Sequence, residues 1–175
     1  MSKGCIFVGG VHGSGKTELC KKIQEKIDCV YLSASQLLKW SKKEKKVENV
    51  QENQRILKEL LEKEIQEDKL YLIDGHFALW NNENECEIIP LWLYENLGLK
   101  CIIIVDINAE TICKRLFSRD HSEMGLEKNK QLISTEKANA QFVSKNLSIP
   151  LYCVYGADEI QLNLLLNSIE ACYGN

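Results

Sequence analysis

Residues 10–17 read GVHGSGKT and fit the spacing Gly-x-x-x-x-Gly-Lys-Ser/Thr at every fixed position. That spacing is the signature of a loop that cradles nucleotide phosphates. Gly10, Gly13 and Gly15 carry no Cβ, so the amide groups of the loop, Ser14 included, can turn inward at phosphate oxygens. Lys16 is long enough to reach the β- and γ-phosphates of ATP, and the Thr17 hydroxyl is the candidate ligand for the Mg²⁺ that bridges them. His12 occupies a free position of the motif, where packing or solvent contact is its default role.

Such a loop works only when a strand delivers it and a helix N-terminus receives the anion. The apolar run 5–8 precedes it, and a helix-forming stretch begins near Lys16. Four further strand-like runs, at 29–32, 70–73, 101–105 and 151–155, alternate with polar stretches of helical spacing. This alternation predicts parallel βαβ units, hence an α/β fold of three layers around a five-stranded parallel sheet. Residues 52–67 put Ile56, Leu57, Leu60, Leu61 and Ile65 on one stripe, as an amphipathic helix requires. Asn108 with Thr111 opens another helix, and residues 127–146 and 158–172 supply two more. Pro90 stands at an expected helix start, and Pro150 just ahead of the last strand.

In a doubly wound sheet, ligands gather beyond the carboxyl ends of the strands. The segments to inspect are therefore the loop itself, residues 33–39, Asp74-Gly75-His76, Asp106, and Gly156-Ala157. Asp74 can hold Mg²⁺ through water or orient an attacking oxygen, the second acidic element that phosphoryl transfer needs. His76 can donate to a phosphate or align the acceptor, and a packed loop histidine is the plain alternative. Asp106 leads into a helix cap and reads as structural. Among 22 basic residues only Arg55, Arg115 and Arg119 are arginines, so the forked recognition of anions has few locations. Arg115 and Arg119 are one helical turn apart, close to an expected short lid at about 119–126, and suit a phosphate clamp; salt bridges to Glu110 or Glu123 are the alternative.

The chain's 175 residues fit a single domain, and its longest apolar runs are too short to cross a bilayer. The first residues enter the loop's strand at once, leaving no room for a signal peptide, and a cytoplasmic protein is expected. Eight cysteines include no Cys-x-x-Cys pair, and Cys5, Cys29, Cys101 and Cys153 lie in apolar runs, which reads as reduced core residues. A formal net charge of -3 argues against a nucleic-acid surface. The basic stretch 39–46 fits a solvated helix end as well as a phosphate patch.

Taken together, these residues resemble the nucleoside monophosphate kinase branch of P-loop kinases, closest to the archaeal-type and nuclear adenylate kinases. The likeness rests on GVHGSGKT, on LSASQLLK at 32–39, on QRILKEL from Gln54, on Asp74-Gly75-His76, on PLWLYENLGLKCIIIV from Pro90 and on KRLFSRD at 114–120. It implies a monophosphate region at about 33–67 with Ser33, Lys39 and Arg55 on the acceptor side. It further implies a role for Asp74-Gly75-His76 in Mg²⁺ handling and catalysis, and contact of Gly156-Ala157 with adenine. The chain departs from the pattern at Ser35-Gln36 and Lys39, where those kinases have Gly-Asp and then an arginine.

The expectation is a small cytosolic kinase that uses Mg²⁺-ATP to phosphorylate a nucleoside monophosphate or another small metabolite. Two other classes stay open: an ATPase switch acting on a protein or RNA partner, and a nucleotide-binding protein without turnover. Oligomeric state and acceptor identity are not encoded in these patterns.

Overall fold

A computed structural model describes residues 4–42, 50–120, 125–155 and 159–173. Five parallel strands form one sheet in the order β2-β3-β1-β6-β7, with β1 spanning Cys5–Gly9, β2 Val30–Ser33, β3 Tyr71–Asp74, β6 Leu99–Asp106 and β7 Leu151–Tyr155. The central strands are apolar without alternation because both faces are covered. On β1, Ile6 and Val8 meet α1 (Lys16–Gln24) and α6 (Glu159–Tyr173) through Leu19, Ile23, Leu165 and Ile169. Cys5 and Phe7 point the other way, into a cluster with Leu57 and Leu61 of α3 (Val50–Glu64) and with Ala140 and Val143 of α5 (Leu126–Leu147). Two helix layers thus sandwich the sheet, as the alternation of runs predicts.

Register fixes what the sheet's carboxyl edge presents. Asp74 is paired with Val8 on one side and with Ser33 on the other, so the ends of β1, β2 and β3 stand at one level. β1 runs straight into the glycine loop, whose last glycine, Gly15, caps α1 at a φ of 100°. That conformation disfavours any residue with a Cβ. Two further helices flank the site, α2 (Ala34–Lys42) after β2 and α4 (Ala109–Asp120) after β6. The Asn108 side chain accepts the Thr111 amide at 2.8 Å, the cap that its residue type promises.

Four details depart from the sequence reading. A small antiparallel hairpin, β4 (Ala78–Trp80) with β5 (Cys86–Ile88), follows β3; strands of three residues are too short for a period to show. Pro90 starts only a 3-10 turn over Leu91–Leu93, because Asn96 and Gly98 take left-handed φ and turn the chain into β6. Asp106 caps no helix and instead pairs with Lys137 at 2.6 Å. Cys5 and Cys101 are buried, whereas Cys29 is half-buried and Cys153 exposed, so the cysteines are not all core residues. β7 is the edge strand, and only Val154 of its five residues is fully covered.

Candidate active site

Lys16 is 7 % exposed, and its ammonium turns back into the loop, donating to the Gly10 carbonyl at 2.6 Å and to the Val11 carbonyl at 3.3 Å. Burial pushes its pKa down, and the nearby carboxylates of Asp74 and Glu136 partly restore it. A charge held this way lacks a full counterion, and an incoming phosphate supplies one. The loop is also shaped for close approach. Gly10 has a φ of 146°, and a Cβ there would stand 2.9 Å from both the Ser14 hydroxyl and the Val105 carbonyl oxygen. The Ser14 hydroxyl is buried without a hydrogen-bond partner among the described residues, as suits a group that faces an anion.

Thr17 Oγ1 donates to Asp74 Oδ2 at 2.9 Å, and the Tyr31 hydroxyl donates to the same oxygen at 2.9 Å. The tyrosine's pKa is pushed up to about 12, first by burial and then by the adjacent Asp74 charge. A hydroxyl and a carboxylate meeting beside a phosphate loop form a hard oxygen pair, which fits Mg²⁺ held by one or two protein oxygens together with phosphate. Among the described residues, no cluster of three or more His, Cys, Asp or Glu forms an all-protein cage. Arg115 reaches the loop from α4, its Nη1 donating to the Gly13 and Ser14 carbonyls at 3.1 and 3.3 Å. A cavity of about 660 Å³ opens between Gly13, Gly15, Lys16, Thr17, Lys114 and Arg115. Its volume is in the range of small-ligand sites.

On the acceptor side, the Ser33 and Ser35 hydroxyls lie 3.1 Å apart, Ser33 being the strand neighbour of Asp74. Lys39 is exposed on α2. The Arg55 side chain is 71 % exposed and approaches Glu52 on its own helix at 4.0 Å. The structure therefore gathers Gly10, Gly13, Ser14, Gly15, Lys16, Thr17, Asp74 and Arg115, with Ser33 beside them, and leaves Arg55 on the surface of α3. Arg119 lies in the last turn of α4. Gly156, Ala157 and residues 121–124 of the expected lid lie outside the described residues.

A family model described as an AAA domain matches residues 9–133. The chain belongs to this AAA-domain family. No curated protein matches it in sequence. Among solved structures, this AAA-domain protein is similar to a shikimate kinase from Acinetobacter baumannii in complex with shikimate, with a TM-score of 0.62 and 15 % identity over 97 % of this chain and 92 % of that one. A gluconokinase from Sinorhizobium meliloti has a TM-score of 0.57 and 14 % identity over 96 % of each chain. A deoxyadenosine kinase from M. mycoides, solved with dCMP and dCDP, has 0.56 and 16 % over 95 % and 98 %. The fold of this AAA-domain protein is the P-loop kinase fold.

Sequence reasoning missed two acidic-site contacts in this AAA-domain protein. Tyr31 sits in a strand, where nothing in its spacing singles out its hydroxyl. Glu136 of α5 is 1 % exposed. Its carboxylate accepts the Gly10 amide at 2.8 Å, the Phe77 amide at 2.9 Å and the Ala78 amide. His76 Nδ1 lies 3.7 Å from the same carboxylate and makes no hydrogen bond among the described residues. The signal was present, because Leu132, Glu136, Ala140 and Val143 are spaced as one helix stripe. A carboxylate on an apolar stripe is a buried polar group in waiting.

Proposed function

We propose that this protein is a cytoplasmic kinase that transfers the γ-phosphoryl group of ATP to a small-molecule acceptor entering between Ser33 and His76. The observation that carries this reading is the 2.9 Å contact between Thr17 of the phosphate loop and Asp74 at the end of β3. Nucleotide binding alone requires the loop; transfer also requires an acid where the acceptor oxygen arrives. Asp74, whose Oδ2 accepts two hydroxyl hydrogen bonds that fix the carboxylate, would orient that oxygen and take its proton. Lys16 exchanges the Gly10 and Val11 carbonyls for phosphate oxygens. Arg115, at the mouth of the same cavity, meets charge that develops on the transferred group. Arg119, one turn farther along α4, is a second candidate for the same role. Thr17 and Asp74 would hold Mg²⁺, which would offset the negative charge of the nucleotide phosphates.

The acceptor group is a hydroxyl. The acceptor rim carries the neutral hydroxyls of Ser33 and Ser35; Lys39 stands where the resemblance would put a phosphate-binding arginine, and Arg55, expected on the acceptor side, is exposed 4.0 Å from Glu52. The names of the shikimate kinase and gluconokinase neighbours point to acceptors of this kind for those proteins. Adenylate kinase-like transfer to a nucleoside monophosphate is the second reading. It is supported by Asp74-Gly75-His76; the deoxyadenosine kinase neighbour, solved with dCMP as a product, is by its name a kinase of a nucleoside hydroxyl.

The test is ADP formation by the purified chain with Mg²⁺-ATP and a panel of sugars, polyhydroxylated acids, nucleosides and nucleoside monophosphates. ADP that requires a hydroxylic acceptor supports the proposal; ADP that requires a monophosphate selects the second reading. ADP released at one rate with or without any acceptor would make the protein an ATPase and overturn both.

A further inference from the structure

Two loops that the proposed reaction must hold at a fixed separation are joined by one buried carboxylate. The Gly10 amide at the start of the phosphate loop donates to Glu136 Oε1, and the Phe77 and Ala78 amides, just past Asp74-Gly75-His76, donate to Oε2. One helical turn on, Asn139 Nδ2 donates to the Phe77 carbonyl at 2.7 Å and to the Ile89 carbonyl at 2.8 Å. The peptide groups around Phe77 are therefore gripped by α5 from both their donor and acceptor sides. Tyr94 completes the hold, donating to the His76 carbonyl at 2.8 Å while stacking on Phe77 with centroids 4.9 Å apart.

The grip has a direct line to the phosphate-binding lysine. Gly10 gives its N–H to Glu136 and its carbonyl to Lys16, so the residue that anchors the loop also sets where the ammonium rests. A neutral side chain of the same shape could not satisfy three amides at once: an amide offers a single acceptor oxygen, and its nitrogen would face an N–H donor. An unmade bond at a fully buried donor is expensive, which explains why a charge is kept there.

We infer that Glu136 is a positioning residue that locks the phosphate loop to the Asp74–His76 segment, so that the helix α5 sets the distance between donor and acceptor. The inference rests on the kinase reading above for its consequence, not for its geometry. Removing the lock leaves each loop able to bind its own ligand but loosens their mutual placement. A misplacement on the scale of 1 Å costs about 100-fold in transfer.

Three measurements on the full chain test it. In wild-type protein, native-state hydrogen exchange should show the amides of Gly10, Phe77 and Ala78 opening together, with one common free energy. Independent opening of Gly10 would overturn the inference, whatever the protein's activity. Glu136→Gln, which keeps reach and loses charge, should lower kcat about 100-fold per folded molecule, with the KM values for ATP and acceptor changing less than about threefold. Glu136→Asp, which keeps charge and loses reach, should lower kcat in the same direction and speed exchange at Gly10. If the variants keep wild-type kcat, or if the loss tracks only the folded fraction, Glu136 is structural and the inference fails. If wild type makes no acceptor-dependent ADP, the kinase reading fails, and the exchange result stands on its own.

Discussion

The donor and acceptor halves of the site are built on different terms. Around the phosphate loop, Lys16, Asp74 and Glu136 are buried and each has a partner within the site: Lys16 the loop's own carbonyls, Asp74 the Thr17 hydroxyl, and Glu136 the Gly10 amide. Around the acceptor region, Lys39 and Arg55 face solvent, and the Ser33 and Ser35 hydroxyls pair near the strand ends. The donor half is thus organised before any ligand arrives, and its polar groups cannot serve another purpose. Among the described residues, the acceptor half shows hydroxyls and exposed cations in place of buried, bonded charge.

The sharpest way to break this comparison is at Lys16. Lys16→Met should abolish transfer, a loss of at least about 1,000-fold, because the charge that meets the β- and γ-phosphates has no substitute on the loop. The same change should stabilise the unliganded protein. Burial holds the folded-state pKa of Lys16 below its ordinary value. The unfolded chain therefore binds the proton more readily, and the charged amine opposes folding at neutral pH, with relief as pH rises through the ordinary lysine range. A gain of about 1 kcal/mol would raise Tm by about 2–4 °C in a chain of this size. Thermal melts with and without ATP check both effects: the variant melts higher alone and ceases to respond to nucleotide. A lower Tm for the unliganded variant would show that the buried lysine supports the fold.

Next in size comes Asp74→Asn, for which about 100- to 10,000-fold in kcat is expected if the carboxylate takes the acceptor's proton. Nucleotide affinity measured in the absence of Mg²⁺ should hold. A loss in that affinity equal to the loss in kcat would reduce Asp74 to a strut for Thr17. Arg115→Ala removes a guanidinium that now bonds the Gly13 and Ser14 carbonyls, and about 100-fold is expected, mostly in kcat. On the other side of the comparison, Arg55→Ala should change kcat/KM by no more than about twofold, the effect of a surface ion pair. A much larger loss, seen with a monophosphate acceptor, would turn the comparison around in favour of the adenylate kinase-like reading.

What could be read from sequence follows the same division. GVHGSGKT is contiguous, so its chemistry needs no knowledge of the fold, and Asp74 announces itself by ending an apolar run at the level where ligands bind. The central strands β1, β3 and β6 were legible because both faces of the sheet's interior are buried, which leaves unbroken apolar runs; β2 and β7, at the edges, show apolar runs although they are less covered. Glu136 lies 126 residues from the Gly10 amide it holds, and within its own helix it stands among Lys, Thr and Asn that look like a solvated face. Only the stripe it shares with Leu132 and Val143 marks it. Arg55 is the opposite case, since its place in QRILKEL resembles a binding position while its side chain is exposed beside Glu52.

An effect on stability in place of turnover separates the hydrogen bonds on Asp74 from each other. Tyr31→Phe leaves Asp74 with Thr17 and should cost about 0.5–1.5 kcal/mol, the net worth of one hydrogen bond. Its signature lies in the pH dependence. The folded-state pKa of Tyr31 is raised from 10 to about 12, so the stability this group contributes is fully present below pH 10 and is lost as pH climbs toward 12. The difference in Tm between wild type and Tyr31→Phe should accordingly be constant from neutral pH to about 9 and shrink above 10. A gap that stays constant across that range would mean that Tyr31 contributes packing alone. Asp74 would then be held for catalysis by the phosphate loop through Thr17, and the donor half would be still more self-contained than its contacts suggest.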